Sequence, residues 1–427
     1  MNRRVSRLIA GWRTGLPRPV LILQAGNALN YFGYGLILPF EIIYLHQFRG
    51  FATSTAGFVL AAVMGTAALV TPPAGALLDR YSAKTIVVVG SLVSALGYAG
   101  FALVDQPWQA FACSILSGAG IGLAGTANRV LIFTLVAREQ RPASVALARV
   151  AGNVGLGVGA TVAGFLVAAI QQLGAFQALY VLDAVTYVGF ALTVLVAVPI
   201  TAAPSVTAAE AEGGGFRAVA RDRLFVTVIA ANIVLIVTGH VFFSNVLAPY
   251  AEAHTVVGPA GFGIIILVNT AFVVIAQIPA VRVVTRMRRT HAFAVASALF
   301  ATALVLVLPA TLIHSELAAT ALLAAVGIVF AIGECFHIVV LGPLVADMAP
   351  AHLLGRYLAV FGLSFTVSLT LGPAIGGVLL QTAPDAIWWG GALAAVLAGL
   401  VLFRLGGRIP DPLTEAPSLA AAAPEAG

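Results

Sequence analysis

Apolar residues in this chain come in long unbroken blocks, separated by short polar breaks. Twelve blocks stand at about 20–45, 54–78, 85–104, 108–136, 144–170, 175–198, 224–250, 257–281, 290–312, 316–346, 354–381 and 385–406. A helix of about 20 residues crosses a hydrocarbon core of about 30 Å. In lipid the backbone must satisfy its own polar groups, so only helices and closed barrels span it. A barrel strand is about 10 residues of alternating polarity. Runs such as Thr85 to Val104 and Ala386 to Phe403 are longer and do not alternate. The pattern predicts an all-α polytopic membrane protein of about twelve transmembrane helices.

Composition agrees. The 427 residues are 60% apolar and 9% charged, against roughly 25% charged in soluble proteins. Mean hydropathy is +1.03. The basic balance does not point to nucleic acid, because the arginines are spread over many short loops. Cys113 and Cys335 lie inside apolar runs and read as small core residues, with no disulfide or metal role. The first apolar run is too long for a signal-peptide core, and no small-residue cleavage site follows it; it reads as a retained helix.

Placing the N-terminus inside makes the loop charges alternate. The inner side then receives Arg3, Arg4, Arg7, Arg13 and Arg18, then Arg80 and Lys84, then Arg138 and Arg141. Next come Arg217, Arg221 and Arg223, then Arg282, Arg286, Arg288 and Arg289, then Arg356, Arg404 and Arg408. The outer loops receive only Arg49. This asymmetry follows the positive-inside rule and supports an even number of spans, in a cell (inner or plasma) membrane with both termini cytoplasmic. The longest interior break, Pro199 to Arg223, contains Gly213 to Gly215 and reads as a flexible linker. It divides the chain into an N-terminal six-helix half (1–198), a cytoplasmic linker (199–223), a C-terminal six-helix half (224–406) and a disordered cytoplasmic tail (407–427).

The halves repeat weakly. In the fourth helix Gly118, Gly120, Gly122 and Gly125 lead to a loop with Arg138 and Arg141; in the tenth, Gly327 and Gly333 lead to Asp347 and Arg356. The fifth helix has Gly155, Gly157, Gly159 and Gly164, and the eleventh Gly372, Gly376 and Gly377. Duplicated six-helix units recur in transporters, with the binding site at the repeat interface.

Between the second and third helices stands Gly75-Ala-Leu-Leu-Asp79-Arg80-Tyr-Ser-Ala-Lys84. Here the chain resembles the major facilitator superfamily, whose signature in this loop is Gly-x3-Asp-Arg-x-Gly-Arg/Lys-Arg/Lys. Gly75, Asp79, Arg80 and Lys84 match; Ser82 and Ala83 depart. The resemblance implies a contact with the eleventh helix that latches the two halves on the cytoplasmic side. Gly75 would allow close helix approach, and Asp79 would favour a helix N-terminus. In the fifth helix Arg149-x3-Asn153-x-Gly155-x3-Gly159-Ala160-x3-Gly164 resembles the glycine-rich motif of the superfamily's antiporters, which include drug:proton exporters. Its usual Gly-Pro is Gly159-Ala160 here and reappears as Gly372-Pro373, followed by Gly376, in the eleventh helix. Small residues at i and i+4 equally serve plain helix packing. The exporters' fourth-helix arginine is absent: four residues before Gly118 stands Ser114, with Arg129 further along.

Ionisable residues inside the apolar runs are few. Glu334, Asp183, Glu41, Arg129 and His337 are candidates for proton or substrate coupling, with His240 beside them in the count. A charge at bilayer depth costs about 2.5–3.5 kcal/mol on insertion scales, so such groups face a cavity or a partner. Structural alternatives stand next to these readings. Glu41 could pair with Arg49, and Asp183 could hydrogen-bond a neighbouring helix. Glu334 and His337 stand at i and i+3, on one helix face; a di-iron site needs a second such pair, and none is present. No Gly-Lys-Ser/Thr phosphate loop occurs, so no cofactor is expected and energy would come from a gradient. No nucleophile–base set suggests an enzyme. The resemblance implies proton-coupled efflux of hydrophobic or cationic small molecules. Its partners would be a small-molecule substrate, protons and the lipid bilayer, with no nucleic acid, acting as a monomer. A drug cavity would be apolar and aromatic, drawing on Asn27, Asn30, Tyr31, Tyr34, Phe243 and Asn269. A carrier for a sugar, amino acid, organic acid or siderophore would present several amides and carboxylates. A non-transporting membrane sensor is the alternative from another class.

The arginine distribution makes a direct prediction. Cysteines introduced as Glu210→Cys and Val256→Cys should be labelled from opposite faces, Val256→Cys from outside sealed cells and Glu210→Cys only after permeabilisation. Labelling of Glu210→Cys from outside would overturn this orientation.

Overall fold

The structure is a computed structural model that describes residues 16–78, 80–137, 140–170, 172–198, 216–284, 286–350, 353–406 and 408. No strand occurs among them. Eleven helices are long and apolar enough to cross a membrane, and twelve when the pair Arg18–Ile37 and Glu41–Phe48, bent by 43°, counts as one span. That pair is α1. The others are α2 (Thr53–Leu78), α3 (Ala83–Phe101), α4 (Pro107–Leu135), α5 (Arg141–Ile170), α6 (Leu173–Ala197), α7 (Arg223–His254), α8 (Pro259–Val284), α9 (Arg289–Leu312), α10 (Glu316–Met348), α11 (Leu354–Thr382) and α12 (Pro384–Arg404). The bend in α1 falls at Leu38–Phe40 and contains Pro39, which has no N–H to continue the helical ladder.

The two halves share one neighbour pattern. In the first, α1 packs on α5, α2 on α4, α3 on α4 and α3 on α6; in the second, α7 packs on α11, α8 on α10, α9 on α10 and α9 on α12. Between halves, α2 meets α11 and α5 meets α8. A two-fold exchange of the halves converts each of these contacts into the other, as expected of a duplicated six-helix unit.

Both contacts between halves are made by glycines. A Cβ on Gly377 would stand 2.9 Å from the Gly57 Cα, and one on Gly164 would stand 2.9 Å from the Gly263 Cα. Gly57 and Gly263 hold the fifth position of α2 and α8. Thr161 Oγ1 donates to the Gly263 carbonyl at 3.2 Å, and the Ser54 N–H to Gln381 Oε1 at 3.3 Å. A different face of α5 binds its own half: a Cβ on Gly155 or Gly159 would collide with the carbonyl oxygens of Ala28 and Phe32 in α1. Likewise Gly372 and Gly376 of α11 lie against Val241 and Val246 of α7.

These contacts between halves gather at one end of the bundle. We call it distal, and the end where α1 begins and α12 finishes proximal. Phe40 and Phe262 add an edge-on aromatic contact at 6.2 Å, and Phe40, Tyr44, Val246, Leu247 and Tyr250 are all buried there. Toward the proximal end α2 and α11 part. A Cβ on Gly75 would meet nothing within 4 Å, and the same holds for Gly125 and Gly362. The close approach expected at Gly75 is therefore absent in this structure. Lys84 also differs from expectation: its Nζ donates to the Leu195 and Val198 carbonyls at 2.8 and 2.6 Å, capping α6 of its own half. Arg80 is exposed. Asp79, Arg138, the first fifteen residues with four of their arginines, most of the linker (199–215) and all of the tail except Arg408 lie outside the described residues.

The two kinds of glycine contact predict different phenotypes. Gly159→Leu drives a side chain into the α1 backbone and should destabilise the folded half by about 1–3 kcal/mol, read as a lower Tm in detergent. Gly57→Leu acts only between halves. It should leave Tm near that of the parent while raising labelling of distal cysteines. Gly125→Ala, which meets open space, should change neither. Equal Tm losses for Gly159→Leu and Gly57→Leu would refute this division.

Candidate functional site

Where the halves diverge they line a partly open cavity. The first half contributes Gly35, Leu38 and Pro39 from α1 and Asn153, Leu156 and Ala160 from α5; the second contributes residues of α7, α8 and α10. On the α1 side the lining is the bend itself, and on the α7 side it belongs to a π-helical stretch, Ile236–Val246. Such i→i+5 segments are rare and often mark functional sites. This one presents His240, Phe243 and Ser244 to the cavity.

Most of the wall is apolar. Phe243 and Phe330 stack at 4.5 Å with 9° between their planes, and Ile266 and Val273 continue the surface. Asn269 lines the cavity but donates its amide to the Gly327 carbonyl at 2.9 Å. The titratable lining groups are Glu334 and His240, with His240 Nδ1 at 3.8 Å from Glu334 Oε1. That distance is beyond a hydrogen bond. The imidazole is 42% exposed and the carboxylate 17%. Both side chains are thus partly exposed on the cavity wall.

The other candidates scatter. His337 does not join Glu334. Three residues along a helix leave side chains about 60° apart around the axis. That offset turns His337 into the α9–α10 interface, edge-on to Phe293 and Phe300 and 4% exposed. Glu41 is not paired with Arg49, whose guanidinium is held by Asp105 at 2.7 Å, the Tyr44 hydroxyl at 2.8 Å and the Ala102 carbonyl at 2.7 Å. Glu41 instead borders a smaller cavity with Tyr34, Tyr98, Met64 and Asn245. Asp183 is fully buried against Gly33 of α1. Its Oδ1 lies 3.5 Å from Thr186 Oγ1, and its Oδ2 has no hydrogen-bond partner among the described residues. Arg129 is exposed on α4, outside the central lining.

Of the aromatic and amide candidates, Phe243 and Asn269 line the central cavity, and Tyr34 the smaller one. Tyr31 is 45% exposed and packs beside Gly152. Asn27 belongs to a helix-joining network: it donates to Gln24 Oε1 at 3.2 Å, accepts from Asn128 at 3.2 Å, and Gln24 reaches the Ser144 carbonyl at 3.3 Å. Asn30 stands beside Tyr187. The sequence reading did not bring His240 to Glu334, or assign Ser244, Thr270 and Phe330 to the site. A histidine in the middle of an otherwise apolar span was the available signal for His240.

Comparison with known proteins follows the fold. A family profile described as "Major Facilitator Superfamily" matches residues 23–254 and again 231–425. The chain is 23% identical to the MFS-type transporter YhjO of Bacillus subtilis (strain 168), over 90% of this chain and 92% of that one. It is 29% identical to the multidrug resistance protein MdtH of Photorhabdus laumondii, but over 33% of this chain and 35% of MdtH. Among solved structures, a POT family transporter in complex with 5-aminolevulinic acid superposes with TM-score 0.74 at 12% identity, covering 92% of this chain and 96% of that one. The nucleoside transporter NupG superposes with TM-score 0.67 at 15% identity, covering 91% of this chain and 99% of that one.

Proposed function

The chain belongs to the Major Facilitator Superfamily, and from that premise we propose that it exports hydrophobic or weakly cationic small molecules in exchange for protons. The observation that carries this reading is the Glu334–His240 pair on the wall of an apolar, aromatic cavity between the halves. No lysine or arginine is among the described lining residues. The cavity thus offers a negative or proton-bearing group to a ligand, beside the stacked faces of Phe243 and Phe330. Aromatic faces and a carboxylate together favour organic cations. A sugar site would draw on more amides, and Asn269 has already committed its amide to Gly327. The partial match to proteins named for multidrug resistance supports the same class.

The cycle follows from charge. An ionised carboxylate at membrane depth is costly unless neutralised. A proton on the pair removes the charge; a bound cation offsets it. The two therefore compete, which is antiport. In this structure the distal contacts are closed and the proximal ends of α2 and α11 are apart. With the proximal end placed in the cytoplasm of a plasma-membrane protein, substrate would enter from the cytoplasm. The halves would then rock about the glycine contacts, closing the proximal end. The Gly75–Lys84 loop would serve as the latch of that second state, and one chain would suffice as the working unit.

Replacing Glu334 by Gln keeps shape and removes ionisation. In proteoliposomes with an imposed proton gradient, Glu334→Gln should cut export of a cationic dye more than about tenfold, about 1.4 kcal/mol, while dye binding persists. If the variant still accumulates dye against its gradient and moves protons with it, the coupling role is wrong.

A further inference from the structure

Arg149 opens the glycine motif of α5, yet the packing of the fold does not use it. It is exposed and makes no hydrogen bond or ion pair in the described structure. Its direction is fixed by the helix. Asn153, Leu156 and Ala160 line the cavity, and Arg149 continues that stripe one turn toward the proximal end, at the i, i+4, i+7, i+11 spacing of one helix face. Arg149 therefore sits on the side of α5 that faces the gap between the halves.

Its depth can be matched to that of Glu334. Gly157 of α5 packs directly on Thr270 of α8, and the neighbouring Asn269 donates to the Gly327 carbonyl of α10. These contacts set a common level on the three helices. From Gly157 down to Arg149 is about 12 Å, and from Gly327 down to Glu334 about 10 Å, at 1.5 Å per residue. Residues 149 and 334 thus lie at nearly one depth, on helices of opposite halves. No ion pair joins them among the described residues.

We propose that the cavity is built for amphoteric substrates, an aromatic body with a basic group for Glu334–His240 and a carboxylate or equivalent anion for Arg149. This rests on the export reading above and narrows its substrate class. The reasoning is electrostatic. Arg149 and an ionised Glu334 leave the site neutral overall, and a ligand with both charges keeps it so. A simple cation would meet the unsatisfied guanidinium at the entrance, where repulsion is not offset. Bidentate geometry makes arginine the better partner for a carboxylate than lysine.

A matched pair of dyes separates these terms. Rhodamine 110 carries a free carboxylate, and rhodamine 123 is its methyl ester, a cation with the same aromatic core. Binding to the purified full-length protein is read by fluorescence anisotropy. The parent should bind rhodamine 110 at least about tenfold more tightly than rhodamine 123, the range of one charge-assisted contact. Arg149→Gln should bring that ratio close to one, and Arg149→Lys should keep part of it. A parent that binds the two dyes equally, or prefers the ester, overturns the proposal even if the variants do not fold. An unchanged ratio in Arg149→Gln overturns it as well. If the parent binds the ester alone, the export reading stands and the amphoteric one falls. If it binds neither dye, the organic-cation reading fails, and this inference with it.

Discussion

Two pairs of glycines, Gly57 with Gly377 and Gly164 with Gly263, bring the halves together backbone to backbone, and they do so at one end only. In a bilayer, apolar side chains gain little by leaving lipid for protein. Helix association then depends on close van der Waals fit and on hydrogen bonds. The interfaces these pairs belong to, α2 with α11 and α5 with α8, are comparable in extent to those within each half. The pairs exchange under the two-fold relation between halves, so a single rotation can loosen both together. The cavity lies proximal to these pairs, lined by α1 and α5 of one half and α7, α8 and α10 of the other.

Charge is treated differently at the ends and at the middle. Arg49 is enclosed by three partners at the distal end. Asp222 caps α7 through the Phe225 N–H at 3.0 Å and accepts from the Tyr357 hydroxyl at 2.7 Å. Arg289 and Asp347 pair at the proximal end. These groups are committed to structure. At mid-depth Glu334 and His240 remain uncommitted, 3.8 Å apart and open to the cavity. The contrast supports assigning chemistry to the latter. Glu41 and Asp183 are a third case, carboxylates in the first half with no ion pair in the described structure and a surround of tyrosines.

The spans were legible because length and hydrophobicity alone define them: the expected run 316–346 is the helix Glu316–Met348, and 144–170 is Arg141–Ile170. The glycine motifs were legible as packing signals, but not which face met which partner. In α5 the residues Gly155 and Gly159 serve α1, while Gly157 and Gly164 serve α8. The site was less readable. A helix that is apolar all round gives no moment to orient it, so Glu334 and His337 looked like one face until packing separated them. Arg49 looked available to Glu41 because it is close in sequence; Asp105, from the next distal loop, reaches it in space. Contacts such as His240 with Glu334 join distant helices, and neither helix alone encodes the meeting.

The two π-helical stretches among the described residues, Tyr44–Phe48 and Ile236–Val246, belong to equivalent helices, α1 and α7, the first of each half. Irregular backbone at membrane depth is tolerated only where protein covers it or a cavity borders it. Here it does both. Leu38 and Pro39 from the α1 bend line the central cavity together with His240, Phe243 and Ser244. Glu41, two residues beyond Pro39, and Asn245, the residue after Ser244, line the smaller cavity. The partition between the two spaces is therefore made of the least regular backbone in each half. An i→i+5 segment is wider than an α-turn and less well bonded, so it deforms at lower cost than the helix around it. Close glycine contacts on one side of the site and less regular walls at its centre suit the rocking cycle proposed above.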